Sequence, residues 1–182
     1  MADKMIMILA DGFEETEAVT VADVLRRLDF DLLLCGLKGR EVKGAHNIKF
    51  TADCSLQDVD ARAFKAFILP GGLPGAMNLR ESDALMDFAG KIYAGGGIAA
   101  AICAAPIALA RFGITAGKTI TAYPGFEQYL EGNRPTGAMT EVDDRVITGK
   151  GPGAGFEFAA RIAEKFGKAE EVKQLYEVMF VK

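Results

Sequence analysis

Residues 96–113, GGIAAAICAAPIALARFG, decide the fold. The run IAAAI (98–102) is apolar on every residue and reads as a strand buried on both faces. APIALARFG (105–113) has helical spacing, with Pro106 suited to a first turn and Gly113 at the stop. Cys103 sits where one period gives way to the other, flanked by small residues.

The same alternation extends outward in both directions. Upstream, ESDALMDFAGKIYAGGG (81–97) reads as a helix ended by glycines, and FKAFILP (64–70) as a buried strand closed by GGLPG. Further upstream, KMIMILA (4–10) and DLLLCGL (31–37) are buried strands. They enclose a helix whose apolar face is Ala18, Val21, Leu25 and Leu28. EVKGAHNIKFTADCSL (41–56) reads as a small hairpin at an edge. Downstream, KTITAYP (118–124) reads as a strand stopped by Pro124, and MTEVDDRVITG (139–149) as strand, turn, strand. GFEFAARIAEKFG (155–167) places Phe156, Ala159, Ala163 and Phe166 on one helix face, and a last helix spans about 169–180. The expected fold is a doubly wound α/β domain with a mainly parallel sheet, one domain over residues 1–182.

Composition excludes several classes of function. The net charge is −4 with no basic block, which argues against nucleic acid. No stretch of ~18 apolar residues lacks a charge, so no membrane span is expected. Three cysteines without a pairing pattern argue against a disulfide framework and for a reducing cytoplasm. With no CxxC and His46 as the single histidine, neither a metal nor a cofactor is expected. GKGPGAGFEF (149–158) loosely resembles a dinucleotide loop, but Pro152 interrupts it and too little chain follows. It reads as a capping turn that walls a pocket.

In a parallel sheet, ADGFEETEA, LPGGLPGA and AICAAP all leave strands on the same edge, where ligands bind. Two readings of Cys103 stand at this point. It is a buried filler, or it is a thiol held at a strained elbow, facing a helix N-terminus that stabilises thiolate. Gly71 and Gly72 likewise form either a plain strand-to-helix turn or a close-approach loop. In the second case the N–H groups of Gly72 and Ala104 make an oxyanion site. Glu14 and Glu15 are explained by the first helical turn alone. Glu17 has apolar neighbours one turn on, at Val21, Val24 and Leu25. An inward carboxyl there is desolvated, its pKa rises, and in protonated form it can donate to a thiolate. Cys35 reads as core and Cys54 as an edge residue.

Four segments, GFEETEAV, LPGGLPGA, AAICAAP and GPGAGFEFA, together resemble the ThiJ/PfpI superfamily, in the branch of the Parkinson-associated deglycase and its bacterial relatives. The resemblance covers the whole chain. It implies a flavodoxin-like sandwich and a homodimer. Cys103 would be the nucleophile, Glu17 its protonated partner, and Gly72 and Ala104 the oxyanion donors. Implied activities are glutathione-independent glyoxalase, removal of dicarbonyl adducts from proteins, and redox-sensitive chaperoning of unfolded proteins. Peptidase, amidotransferase and thiamine-related labels also occur in the family. Many members carry a histidine before the proline where this chain has Tyr123. Tyr123 then either donates a hydrogen bond or simply lines the pocket. His46, in an edge segment, is a weak substitute, which argues against amide hydrolysis.

Overall fold

The computed structural model describes residues 3–181. Residues 1, 2 and 182 of the single-domain reading lie outside the described residues. Strand β1 (Lys4–Leu9) is followed by helix α1 (Glu15–Arg27) and strand β2 (Asp31–Gly36). A hairpin of β3 (Glu41–Lys43) and β4 (Lys49–Thr51) precedes a short strand, β5 (Cys54–Ser55). Then come β6 (Ala66–Leu69), α2 (Gly75–Arg80), α3 (Asp83–Ala94), β7 (Ile98–Ile102) and α4 (Pro106–Arg111). The chain closes with β8 (Thr140–Asp143), β9 (Val146–Gly149), α5 (Gly155–Lys165) and α6 (Ala169–Val178).

Seven strands form one sheet in the order β5-β2-β1-β6-β7-β9-β8. Every neighbouring pair is parallel except β8 with β9. The strands alternate between two cores. In β1, Met5, Met7 and Leu9 face one layer, while Ile6 and Ile8 face the other. Apolar residues at every position are what a sheet covered on both faces requires. α1 and α5 cover one face with Val21, Leu25, Phe158 and Ile162. α2, α3 and α4 cover the other with Leu79, Phe88 and Leu109. Phe67 and Phe158 are fully buried, on opposite layers. Each such side chain contributes up to about 3 kcal/mol. This is the doubly wound arrangement expected from the alternation, in the flavodoxin-like three-layer form that the resemblance implied.

From β1 the chain first moves to β2 on one side, and β6 then pairs on the other. That switch opens a crevice at the carboxyl ends of β1, β6 and β7.

Two expectations are corrected. Residues 118–124 form no strand. β9 already occupies the edge of β7, so the segment's donors turn to other acceptors. The Thr121 N–H donates to Thr148 Oγ1 at 2.9 Å, and that of Thr119 to Asp143 Oδ2 at 2.8 Å. On α5 the buried face is Phe158, Ala159, Ile162 and Ala163. Phe156 is 38% exposed, its ring edge-on to Tyr176 of α6. The hairpin and the last helix form as expected, with α6 ending at Val178. Among the described residues, no helix is long and apolar enough to cross a membrane.

Candidate active site around Cys103

Cys103 leaves β7 with a φ of 64°, in the left-handed region that costs a non-glycine residue about 1–2 kcal/mol. Neighbouring strands and loops hold it there. Its N–H donates to the Gly149 carbonyl at 2.9 Å, and its carbonyl accepts from the Tyr123 N–H at 2.8 Å. Small residues on both sides leave room for the turn. The side chain is 8% exposed, at the floor of a cleft of about 350 Å³. Glu14, His46, Leu73, Tyr123 and Phe126 form much of the wall. A wider groove of about 1220 Å³ beside α3 is lined by no cysteine, serine or threonine.

Glu17 lies beneath the sulfur with no exposed surface. The first turn of α1 aims it inward, and the Gly71 N–H donates to its Oε2 at 2.7 Å. Oε1 is buried without a partner. Burial pushes the Glu17 carboxyl up to about 7, against the lowering pull of the Gly71 N–H and the Cys103 thiol. The Cys103 thiol is pushed up to about 12 by burial first, then by the charge of Glu17 and its hydrogen bond. The N–H groups of Gly72 and Ala104 draw it down. The expected lowering by a helix terminus therefore does not dominate beside an ionised Glu17. α4 has only six residues, and burial outweighs so short a dipole.

The loop after β6 supplies the second wall. Gly72 has a φ of +85°, and its N–H and that of Ala104 approach the sulfur itself. Gly71 admits no side chain. A Cβ there would lie 2.6 Å from Cys103 Cβ and 3.0 Å from both the Ala104 nitrogen and Glu17 Oε2. Gly71→Ala is expected to displace the elbow and cut turnover by about 100-fold or more. Steady-state kinetics beside circular dichroism of the same protein checks this. Tyr123, 48% exposed, stands at the cleft mouth with its ring against Gly151. The fold thus brings together Cys103, Glu17, Gly71, Gly72, Ala104 and Tyr123.

Two residues that the sequence left aside join them. Glu15 is 5% exposed and accepts the His46 N–H at 2.8 Å, with His46 Nδ1 also at 2.8 Å. Burial acts to raise Glu15, but these bonds and the Ile48 N–H outweigh it and hold the carboxyl below its ordinary value. The hydrogen bond to Glu15 and the charges of Glu14 and Glu15 raise His46. Gly44 makes the contact possible, since a Cβ there would sit 2.2 Å from Glu15 Oε1. His46 is therefore on the cleft wall, not at a remote edge. Among the described residues, no hydrogen bond joins it to Cys103. The ligand atoms of Glu14, Glu15 and His46 lie within 4.8 Å of one another, a grouping the sequence did not disclose. The backbone fold of the hairpin creates it, and no local signal in residues 14–15 announces it.

A parallel α/β sandwich with a strained cysteine at a strand–helix elbow, a buried carboxyl beneath it and a glycine loop opposite defines a class of cysteine-elbow proteins. Comparison narrows the class: the chain belongs to the DJ-1/PfpI family, whose profile matches residues 3–165. The Drosophila melanogaster protein dj-1beta is 38% identical over 189 residues, covering 100% of this chain and 98% of that protein. A Caenorhabditis elegans protein named glutathione-independent glyoxalase DJR-1.2 is 33% identical, covering 94% of this chain and 92% of its own. The crystal structure of Drosophila melanogaster DJ-1beta superposes with a TM-score of 0.93 at 36% identity, each chain covered in full.

Proposed function

We propose that the chain acts as one ThiJ/PfpI-type domain that converts small reactive dicarbonyls to hydroxy acids without glutathione, with Cys103 as nucleophile. The observation that carries this reading is the pairing of a strained, cleft-facing cysteine with a fully buried, orphaned carboxyl. The glyoxalase name of the Caenorhabditis elegans relative supports the substrate class.

Cys103 and Glu17 share one proton across neutral pH. The sulfur lies beside two N–H groups, of Gly72 and Ala104, that favour its anion, and the carboxyl accepts one N–H, from Gly71. The negative charge is better served on the sulfur, with the proton on Glu17 Oε1 donated to it. This state also gives the buried Oε1 a partner. The thiolate adds to the aldehyde carbon and forms a hemithioacetal. Glu17, with its pKa near neutrality, moves the proton from the former aldehyde carbon to its neighbour. The resulting thioester takes up water and releases the hydroxy acid and the thiol. N–H groups of Gly72 and Ala104 hold the developing negative charge. Tyr123 at the mouth donates through its hydroxyl or fills space against the substrate. Lactate formation from methylglyoxal in glutathione-free buffer tests the proposal. Absence of lactate from folded protein counts against it.

One observation favours a second reading. The two N–H groups at the sulfur are also placed to bond oxygen atoms on an oxidised Cys103, with protonated Glu17 donating a third bond. In that reading Cys103 is a sensor that passes to sulfinic acid and the protein attends unfolded chains. Mass spectrometry after mild peroxide separates the two. We place the protein in the cytoplasm as a homodimer. In support, Val19, on the outer face of α1, is 48% exposed beside an apolar hollow that Phe50 also lines.

A further inference from the structure

We propose that Cys35 and Cys54 form a reversible dithiol–disulfide couple at the edge of the central sheet, separate from Cys103. The two residues are 19 positions apart along the chain, with no signal linking them there. The fold aligns them directly. β2 and β5 pair in parallel, with Cys35 opposite Cys54. Register partners in a parallel pair project to the same face. Cys35 indeed lies in the core layer against which Cys54 packs.

Neighbouring strands lie about 4.8 Å apart, inside the roughly 4.4–6.8 Å Cα separation that disulfides span. The thiols already touch electrostatically: after burial, Cys54 is the next influence raising Cys35, through its charge and a hydrogen bond. Both sulfurs are free, so the couple stands in its reduced form. Closing it requires a small inward movement of β5. That strand is two residues long and forms the sheet edge, so among the described residues nothing pairs beyond it. The Asp53 N–H donates to the Leu34 carbonyl at 2.8 Å, and Asp53 Oδ2 accepts from the Leu34 N–H at 2.9 Å. These bonds keep the register while the side chains close. β1 and β6 separate Cys35 from the strand that leads to Cys103. That is roughly 15 Å at strand spacing.

The two sulfurs have different roles. Cys54 is partly exposed, and Cys35 is fully buried. A hydroperoxide reaches Cys54. The Cys54 sulfur attacks one peroxide oxygen, the O–O bond breaks, and water or alcohol leaves as Cys54 becomes a sulfenic acid. The Cys35 sulfur then attacks Cys54. The S–S bond forms, and the sulfenic hydroxyl departs with the Cys35 proton as water. The sulfurs give up two electrons, and the peroxide accepts them.

The test uses the full chain carrying Cys103→Ser, so that oxidation at the elbow cannot confuse it. The protein is treated with one equivalent of hydrogen peroxide, blocked with N-ethylmaleimide, digested without reductant and weighed by mass spectrometry. The expected product is a linked pair of peptides containing Cys35 and Cys54, lighter by two hydrogen atoms. Dithiothreitol is expected to restore both alkylatable thiols. Adding Cys54→Ser abolishes the link completely. It also leaves the melting temperature near that of the parent, since Cys54 lies at the edge and not in the core. A sulfinic acid on Cys54, or a disulfide between two chains, with Cys35 still alkylatable, overturns the proposal. So does a link that survives in the Cys54→Ser protein. Neither result bears on the role of Cys103.

Discussion

Cys103→Ala is expected to abolish lactate formation from methylglyoxal, lowering kcat by at least about a thousandfold. The size of the effect follows from where the sulfur sits. Cys103 is the only nucleophile on the cleft floor among the described residues, and no histidine is bonded to it to activate a water in its place. Removing the sulfur leaves the N–H groups of Gly72 and Ala104 without an adduct to stabilise. The variant keeps its fold, because alanine fits among Ala104, Ala105 and the small residues of β7. Its melting temperature therefore stays close to the wild type, since alanine and cysteine bear the same positive φ at this position. Cys103→Ser is expected to be nearly as inactive, since a hydroxyl is far less acidic than a thiol. Full turnover by Cys103→Ala, with Glu17 in place, removes the nucleophile from the account.

Glu17→Gln is expected to produce two large effects that arise from the same burial. Turnover falls by about 10²–10⁴-fold, the range for loss of a general acid–base group, while KM changes little. The second effect is on stability. The folded Cys103–Glu17 pair gives up its first proton at about 7, the value to which burial pushes the Glu17 carboxyl, against an ordinary value of 4.5. The unfolded chain releases this proton first, so the folded state loses stability as pH rises from about 4.5 through about 7. Below 4.5 the contribution is fully present, and above 7 about 3 kcal/mol of it is gone. Glutamine has no proton to lose. Urea unfolding of the variant is expected to show a flat profile across that window, with the wild type sloping downward. A slope that persists unchanged in Glu17→Gln assigns it to some other group.

Much of this was legible in the sequence because it is local. Strands buried on both faces announce themselves as unbroken apolar runs, as in residues 5–9 and 98–102. The elbow was legible because small residues, a cysteine and a proline at a helix start occur together within seven positions. Glu17 was legible from its apolar neighbours one turn on. What escaped depends on the chain returning to itself. The hairpin turn folds onto the start of α1, and only then does His46 meet Glu15 and reach the cleft. The extended stretch 118–124 has strand composition, but whether it pairs depends on β9, which arrives later in the chain and takes that edge. Phe156 and Phe158 fit a helical stripe almost equally well. α6, packing outside α5, takes the first ring and leaves the second to the core. The alignment of Cys35 with Cys54 is likewise a property of strand register, which no spacing reveals.

The central claim is that the proton shared by Cys103 and Glu17 rests on the carboxyl, leaving a thiolate in the cleft. Titration of the Cys103 thiolate by its ultraviolet absorbance, in wild type and in Glu17→Gln with Cys35 and Cys54 unchanged, addresses it directly. The account predicts a wild-type thiolate that appears near neutral pH, with a midpoint that Glu17→Gln does not lower. A wild-type midpoint close to 12 that drops by several units in Glu17→Gln contradicts it, because the carboxylate, not the sulfur, would then hold the charge.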